Sequence, residues 1–207
     1  MNFDYISDER IYPHQKKWCL NELATIRLGH PFRGTIQPDD KGDVKVVQVR
    51  DTDASGEIRH HNFVKTILKT KKEPDWLQNG DILFVAKGAK NYSVLVENIP
   101  ENTVCSPHFF LIRLKPEHRD SITPEFICWQ LNQQPAQRYF KASAEGSKYL
   151  SIRRQVLEDV PMKILGLNKQ KSITELQRAS IEEKHALLAL IENRQQQIEA
   201  VAANALK

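Results

Sequence analysis

A chain of 207 residues, 40% of them hydrophobic and with only 8 glycines and 10 prolines, is long enough to bury a core and too ordered in composition to be a flexible tether. The net charge of +4 at pH 7 is modest and the sequence carries no typical basic tail, and three cysteines at positions 19, 105 and 128 are too few and too far apart for a disulfide framework or a zinc knuckle. The opening residues lack a basic-then-apolar signal pattern, and no uncharged apolar run of about 18 residues is present, so a soluble cytoplasmic protein is expected.

In chain order, residues 18–29 (WCLNELATIRLG) predict a short strand or turn leading into a helix, with Leu23, Ile26 and Leu28 as its apolar stripe and Gly29 as its stop. The stretch FRGTIQPDDKGD is a loop by its Gly, Pro and Asp content. Residues 44–50 (VKVVQVR) predict a strand closed by the turn DTDASG, and residues 58–68 contain Ile58, Phe63, Val64, Ile67 and Leu68 without a pattern that settles their type. GDILFVAKG, residues 80–88, predicts a buried strand bracketed by glycines, and residues 92–96 and 108–114 predict two more strands. From Thr123 the pattern turns helical: Thr123, Pro124 and Glu125 make an N-cap, a first-turn proline and an early acid, and Pro135 kinks or breaks the helix that follows. A short helix is expected from Ser151 to Pro161, with Ile152, Val156 and Val160 spaced by four.

Residues 172–207 contain no Gly or Pro and predict one helix of roughly 50 Å. One heptad frame takes Ile181, Leu188, Ile191, Ile198, Ala202 and Ala205, and a second takes Ile173, Leu176, Leu187 and Leu190. A stripe this wide needs a partner, and a projecting coiled-coil arm is expected. Charge is also unevenly placed: residues 59–72 carry five Lys or Arg and no acid, and residues 138–154 carry five against one. Two acid-poor blocks in one domain point to a polyanionic partner.

Several stretches approach chemistry and fall short. DTDASGE starts as a calcium loop would, but Asn62 stands where a bidentate Glu is needed. Pro74 and Asp75 followed by Val85-Ala86-Lys87 lack the second carboxylate that a magnesium nuclease requires. GLNKQKS lacks the glycine spacing and Gly-Lys pair of a phosphate loop, and NQQP is no methyltransferase motif. His60 and His61, on opposite faces of an expected strand, make no two-ligand metal site. No metal, no cofactor and no catalytic residue is assigned to this chain.

Taken in order, WCLNELATIRLG with FRGTI, VVQVRDTDASGEI, LQNGDILFVAKG, TPEFICWQL, EGSKYLSIRRQVLEDVPM and the final helix resemble one target recognition domain and arm of a type I restriction-modification specificity subunit. The exit segment MKILGLNKQKSI keeps only Gln170 of the Glu-Gln pair that the family places before its arm. One recognition domain and one arm, where the full-length family has two of each, are similar to the half-size subunits that pair to restore the two-domain unit. The resemblance implies an α+β fold: a mixed-sheet target recognition domain over residues 1–165, then a long coiled-coil-type helical arm over residues 172–207. It implies a cytoplasmic, non-catalytic reader of a bipartite site in double-stranded DNA that serves phage defence. Its partners would be a DNA methyltransferase subunit that itself binds S-adenosylmethionine, a restriction nuclease subunit where restriction occurs, and a second copy in a homodimer. The competing reading is a non-catalytic interaction protein, or subunit mimic, that keeps the fold and binds a partner through the arm.

Within that frame, Lys148, Tyr149, Arg153 and Arg154 in EGSKYLSIRR are suited to donate to phosphate oxygens. KGAKNY is the candidate for base reading, with Lys87 and Lys90 for guanine, Asn91 for adenine and Tyr92 for a thymine methyl or a sugar. Arg33 in the FRG loop is a further candidate, and Leu187, Leu188, Ile191 and Ile198 are assigned to helix pairing.

Overall fold

The glycine-bracketed run GDILFVAKG forms the middle of the molecule. The computed structural model describes residues 18–68, 70, 73–143 and 150–206. Its elements are β1 (Trp18–Cys19), the single-turn α1 (Leu20–Leu23), β2 (Ala24–Leu28), β3 (Val44–Val47), β4 (Val64–Thr66), β5 (Ile82–Val85), β6 (Lys87–Gly88), β7 (Ser93–Leu95), β8 (Thr103–Cys105) and β9 (Phe109–Leu114). There follow α2 (Pro124–Asn132), α3 (Gln134–Ser143), β10 (Leu150–Ser151), α4 (Arg154–Glu158), β11 (Pro161–Met162) and α5 (Leu167–Ala205).

Strands β2, β9, β5 and β7 make an antiparallel four-stranded sheet in that order. Strand β3 lies between β4, antiparallel to it, and β8, parallel to it, in a second sheet. Side chains alternate across a strand, so Ile82 and Phe84 of β5 meet helix α2 and α3 residues such as Phe126, Leu131 and Phe140, while Leu83 and Val85 meet Val47 and Cys105 of the second sheet. Both faces of β5 are covered, and all four of its residues are buried. The result is a helix layer, a central sheet and a smaller mixed sheet: an α+β fold with a long C-terminal helix.

Local signals explain most of the joints. Gly80 turns with φ of +88°, a conformation that favours glycine, and brings Asp81 into position. Asp81 is 2% exposed and holds Arg113 through paired bonds of 2.7 Å from Nε and Nη2, while its Oδ2 also accepts from the Gln78 amide. That bidentate pair raises the pKa of the Arg113 guanidinium. Thr123 caps α2 by accepting from Phe126 N at 3.2 Å, and the chain breaks at Gln133, so Pro135 falls in the first turn of α3. At the sheet edge, Asn132 imitates a neighbouring strand: its Oδ1 accepts from Ser93 N and its Nδ2 donates to Ser93 O, both at 2.8 Å.

Four expectations are corrected. Residues 24–28 are strand rather than helix, with Ala24 and Ile26 buried and Leu28 exposed, and Gly29 is where two backbones meet: a Cβ there would lie 2.1 Å from Ser106 O. His60 and His61 stand in a 3-10 turn, not a strand. Helix α4 begins at Arg154, not Ser151, because Leu150 and Ser151 pair with β6. The arm helix starts at Leu167, before the expected position 172, and at about 1.5 Å per residue reaches about 58 Å.

The early start matters because it places Gln170 inside the domain, fully buried. Its Oε1 accepts from Thr123 N at 3.0 Å, and its Nε2 donates to Ser121 O at 2.7 Å and Leu165 O at 2.6 Å. Ile173, one turn on, packs against the main core. Replacing Gln170 with Ala removes the partner of three part-buried backbone groups and is expected to cost about 3 kcal/mol. Urea unfolding checks this, and a loss under about 1 kcal/mol would show that the side chain is dispensable.

Candidate nucleic-acid interface

Two-residue strands join KGAKNY to the end of the acid-poor block 138–154. Strand β10 pairs with β6, Ser151 opposite Lys87 and Leu150 opposite Gly88, and Ile152 N donates to Ala86 O at 2.9 Å. Residues some 60 positions apart in the sequence are thus stitched side by side: Lys87 and Lys90 from one, Arg153 and Arg154 from the other. Ile152 anchors the second stretch by burying its side chain in the main core. Lys148 and Tyr149 lie outside the described residues.

More of the candidate set leaves from the same end of the central sheet. Strand β2 ends beside the start of β9, where Gly29 N donates to Phe109 O and His30 N to Cys105 O, and the loop then carries exposed Arg33. Ala86 N and Lys87 N both donate to His108 O, at 2.8 and 3.3 Å, so the exposed His108 sits between these loops. Sequence reasoning missed His108, since only strand pairing reveals its neighbours. Burial lowers the pKa of His30, which stacks edge-on against Phe32.

The candidates differ in what their side chains are doing. Lys87, Lys90 and Arg33 are exposed and take part in no ion pair among the described residues. Arg153 is exposed at the N-cap of α4. Arg154, also exposed, pairs with Glu158 one turn along at 2.6 Å. Asn91 faces inward: it is 7% exposed, and its Nδ2 donates to Val85 O at 2.8 Å and Ala86 O at 3.4 Å, closing the hairpin. Its amide donor is thus engaged within the hairpin. Tyr92 is half-buried and its hydroxyl lies 3.0 Å from Thr52 Oγ1 while donating to Thr52 O at 3.1 Å, so it ties the hairpin to the DTDASG turn. Burial raises its phenol pKa.

The acids of that turn are spent locally. Asp51 is buried, which raises its carboxyl pKa against the pull of the Gln48 amide that donates to it. Burial works against ionised Asp53 too, but bonds from Ser55 and the nearby Arg59 outweigh it and lower its pKa. Among the described residues, no group of three or more His, Cys, Asp or Glu side chains is arranged to hold a metal ion. Cys105 and Cys128 are buried thiols with pKa pushed up to about 12 by desolvation. No helix among the described residues is long and apolar enough to cross a membrane.

At the opposite end of the sheet the arm leaves the domain. Pro124, near Gly80, and the Thr123–Gln170 bond place the root of α5 beside the start of β5, and Arg178 pairs with Glu97 at 3.0 Å. Between the arm, α2, the edge of β7 and the DTDASG turn runs an open groove of about 1040 Å3, with Leu95, Trp129, Thr174 and Ile181 in its walls. Beyond it Leu187, Leu188, Ile191 and Ile198 are each more than half exposed.

No family model matches the sequence, and no curated protein matches it. Solved structures do match in fold. The S subunit of a type I restriction-modification system from M. genitalium superposes with a TM-score of 0.56 at 17% identity, over 87% of this chain and 42% of that one. A chain from work on complex assembly and conformational transition of the type I R-M system gives 0.65 at 18%, over 93% and 48%. The HsdS subunit from Thermoanaerobacter tengcongensis gives 0.61 at 16%, over 90% and 46%. This chain therefore spans less than half the length of each, and shares the fold of S subunits over that part.

The division of labour in the hairpin has a measurable consequence. Asn91→Ala removes a buried bond and is expected to destabilise the protein by about 2 kcal/mol, whereas Lys87→Ala and Lys90→Ala are expected to stay within about 0.5 kcal/mol of the parent. Equal losses for all three in urea unfolding would contradict the inward placement of Asn91.

Proposed function

We propose that the chain is a non-catalytic, sequence-specific DNA-binding specificity module of a type I restriction-modification system. Its recognition domain over residues 1–165 reads one half of a bipartite site in double-stranded DNA, and its arm over residues 172–207 pairs with a second copy. The pair directs a DNA methyltransferase subunit, which carries its own S-adenosylmethionine, and a restriction nuclease subunit where restriction accompanies modification. The observation that carries this reading is the β6–β10 stitch, which gathers Lys87, Lys90, Arg153 and Arg154 at the end of the sheet remote from the arm. A phosphate backbone crossing that end would meet donors from both stretches, with Arg33 and His108 beside them and Lys148 and Tyr149 immediately before β10 in the sequence. The fold shared with the S subunits supports the same assignment.

Two copies would neutralise about six phosphates if each used three cations, which implies a fall in duplex affinity of roughly a thousandfold between 50 and 200 mM salt. Lys87→Glu with Lys90→Glu is expected to weaken binding by tenfold or more and to flatten the salt slope. Fluorescence anisotropy on duplexes, with and without the methyltransferase that copurifies from the native cells, measures both. Salt-independent binding, or no effect of the double substitution, would move the interface elsewhere.

A further inference from the structure

We propose that His108 is a specificity-determining residue that reads a guanine in the major groove, its ring N–H donating to N7 while the Lys87 ammonium donates to O6. This deepens the DNA-reading assignment and rests on it.

The first support is position. Gly29 N donates to Phe109 O, Ala86 N to His108 O and Ile152 N to Ala86 O, at 3.0, 2.8 and 2.9 Å, so four chain segments lie abreast at this end of the sheet. At about 4.8 Å between neighbouring segments the row is about 14 Å across, close to the width of about 12 Å of the major groove of B-DNA. Arg33 lies on the loop that leaves the first segment and Arg153 follows Ile152 in the last, so guanidinium groups flank the row and His108 and Lys87 stand in its middle. Flanking cations of that kind suit phosphates on either side of a groove, and the middle then faces base edges.

The second support is rigidity. Phe109 N donates to Ser106 O at 3.1 Å, closing a turn through Pro107, and Phe109 is fully buried. The carbonyl of His108 accepts from both Ala86 N and Lys87 N. Its ring, by contrast, is exposed and takes part in no hydrogen bond, ion pair or ring contact among the described residues. A free polar ring on a backbone that cannot retreat is what discrimination between bases requires.

The third support is donor chemistry. An imidazole carries at least one N–H in either charge state, and a lysine ammonium only donates. Guanine offers two acceptors side by side, N7 and O6, whereas adenine sets an N6 donor beside its N7 and would meet Lys87 with a donor.

The test uses the full chain, with any methyltransferase that copurifies, on the duplex that it selects from a random pool. Each guanine of that duplex is replaced in turn by 7-deazaguanine, which keeps base pairing and lacks N7. For the parent, one guanine in each half-site is expected to be sensitive, with a loss of affinity of roughly tenfold. For His108→Ala the ratio between unmodified and modified duplex at that guanine is expected to fall to within about twofold. If no guanine is sensitive in the parent, or if the ratio persists in His108→Ala, this assignment fails while the selected site keeps the DNA-reading role in place. If no duplex is selected at all, both fail.

Discussion

Gln170 is the point on which the geometry turns. It is the first strongly buried polar side chain of α5, and its amide joins the exit segment at Leu165, the approach to α2 at Ser121 and the cap of α2 at Thr123. A buried amide left unpaired costs more than a paired one contributes, so the three bonds act together: α5 cannot rotate or slide at its root without stranding several groups at once. Because Thr123 also caps α2, the direction of the arm is tied to the helix that covers the central sheet. The arm therefore departs from one end of β5 while the charged loops gather at the other.

The charged end depends on side chains that face inward as much as on those that face out. Asn91 closes the hairpin from within, and Tyr92 fastens it to Thr52, which leaves Lys87 and Lys90 outside on a rigid support. Ile152 does the equivalent for the second stretch by reaching the core between Ser151 and Arg153. Cations held on short, well-anchored segments lose less freedom on meeting a duplex than the same cations on a loose tail, so a net charge of only +4 is compatible with a defined polyanion surface.

Much of this is legible in the amino-acid sequence. The buried strand β5, the helix start at Thr123 and the break before Pro135 follow from local rules whose cause lies within a few residues. Strand β2 is not legible in that way, because Leu23, Ile26 and Leu28 suit a helical stripe, whereas the pairing with β9 selects Ala24 and Ile26 instead. The β6–β10 stitch is out of reach as well, since two-residue strands carry almost no pattern of their own. Asn91 illustrates the same limit at the candidate site: an asparagine beside lysines has the chemistry to read a base, and only the positions of the Val85 and Ala86 carbonyls show it serving the turn. Gln170 stands out in the exit segment, yet its burial becomes visible only once α5 is seen to begin at Leu167.

The most direct test of a sequence-reading role is selection from a pool of random duplexes by the purified chain, alone and together with any methyltransferase that copurifies with it. Enrichment of a split, two-fold symmetric site is expected, because two identical halves impose their symmetry on the DNA. A pool that emerges unenriched in both forms would contradict that role and leave the shared fold serving a partner other than DNA.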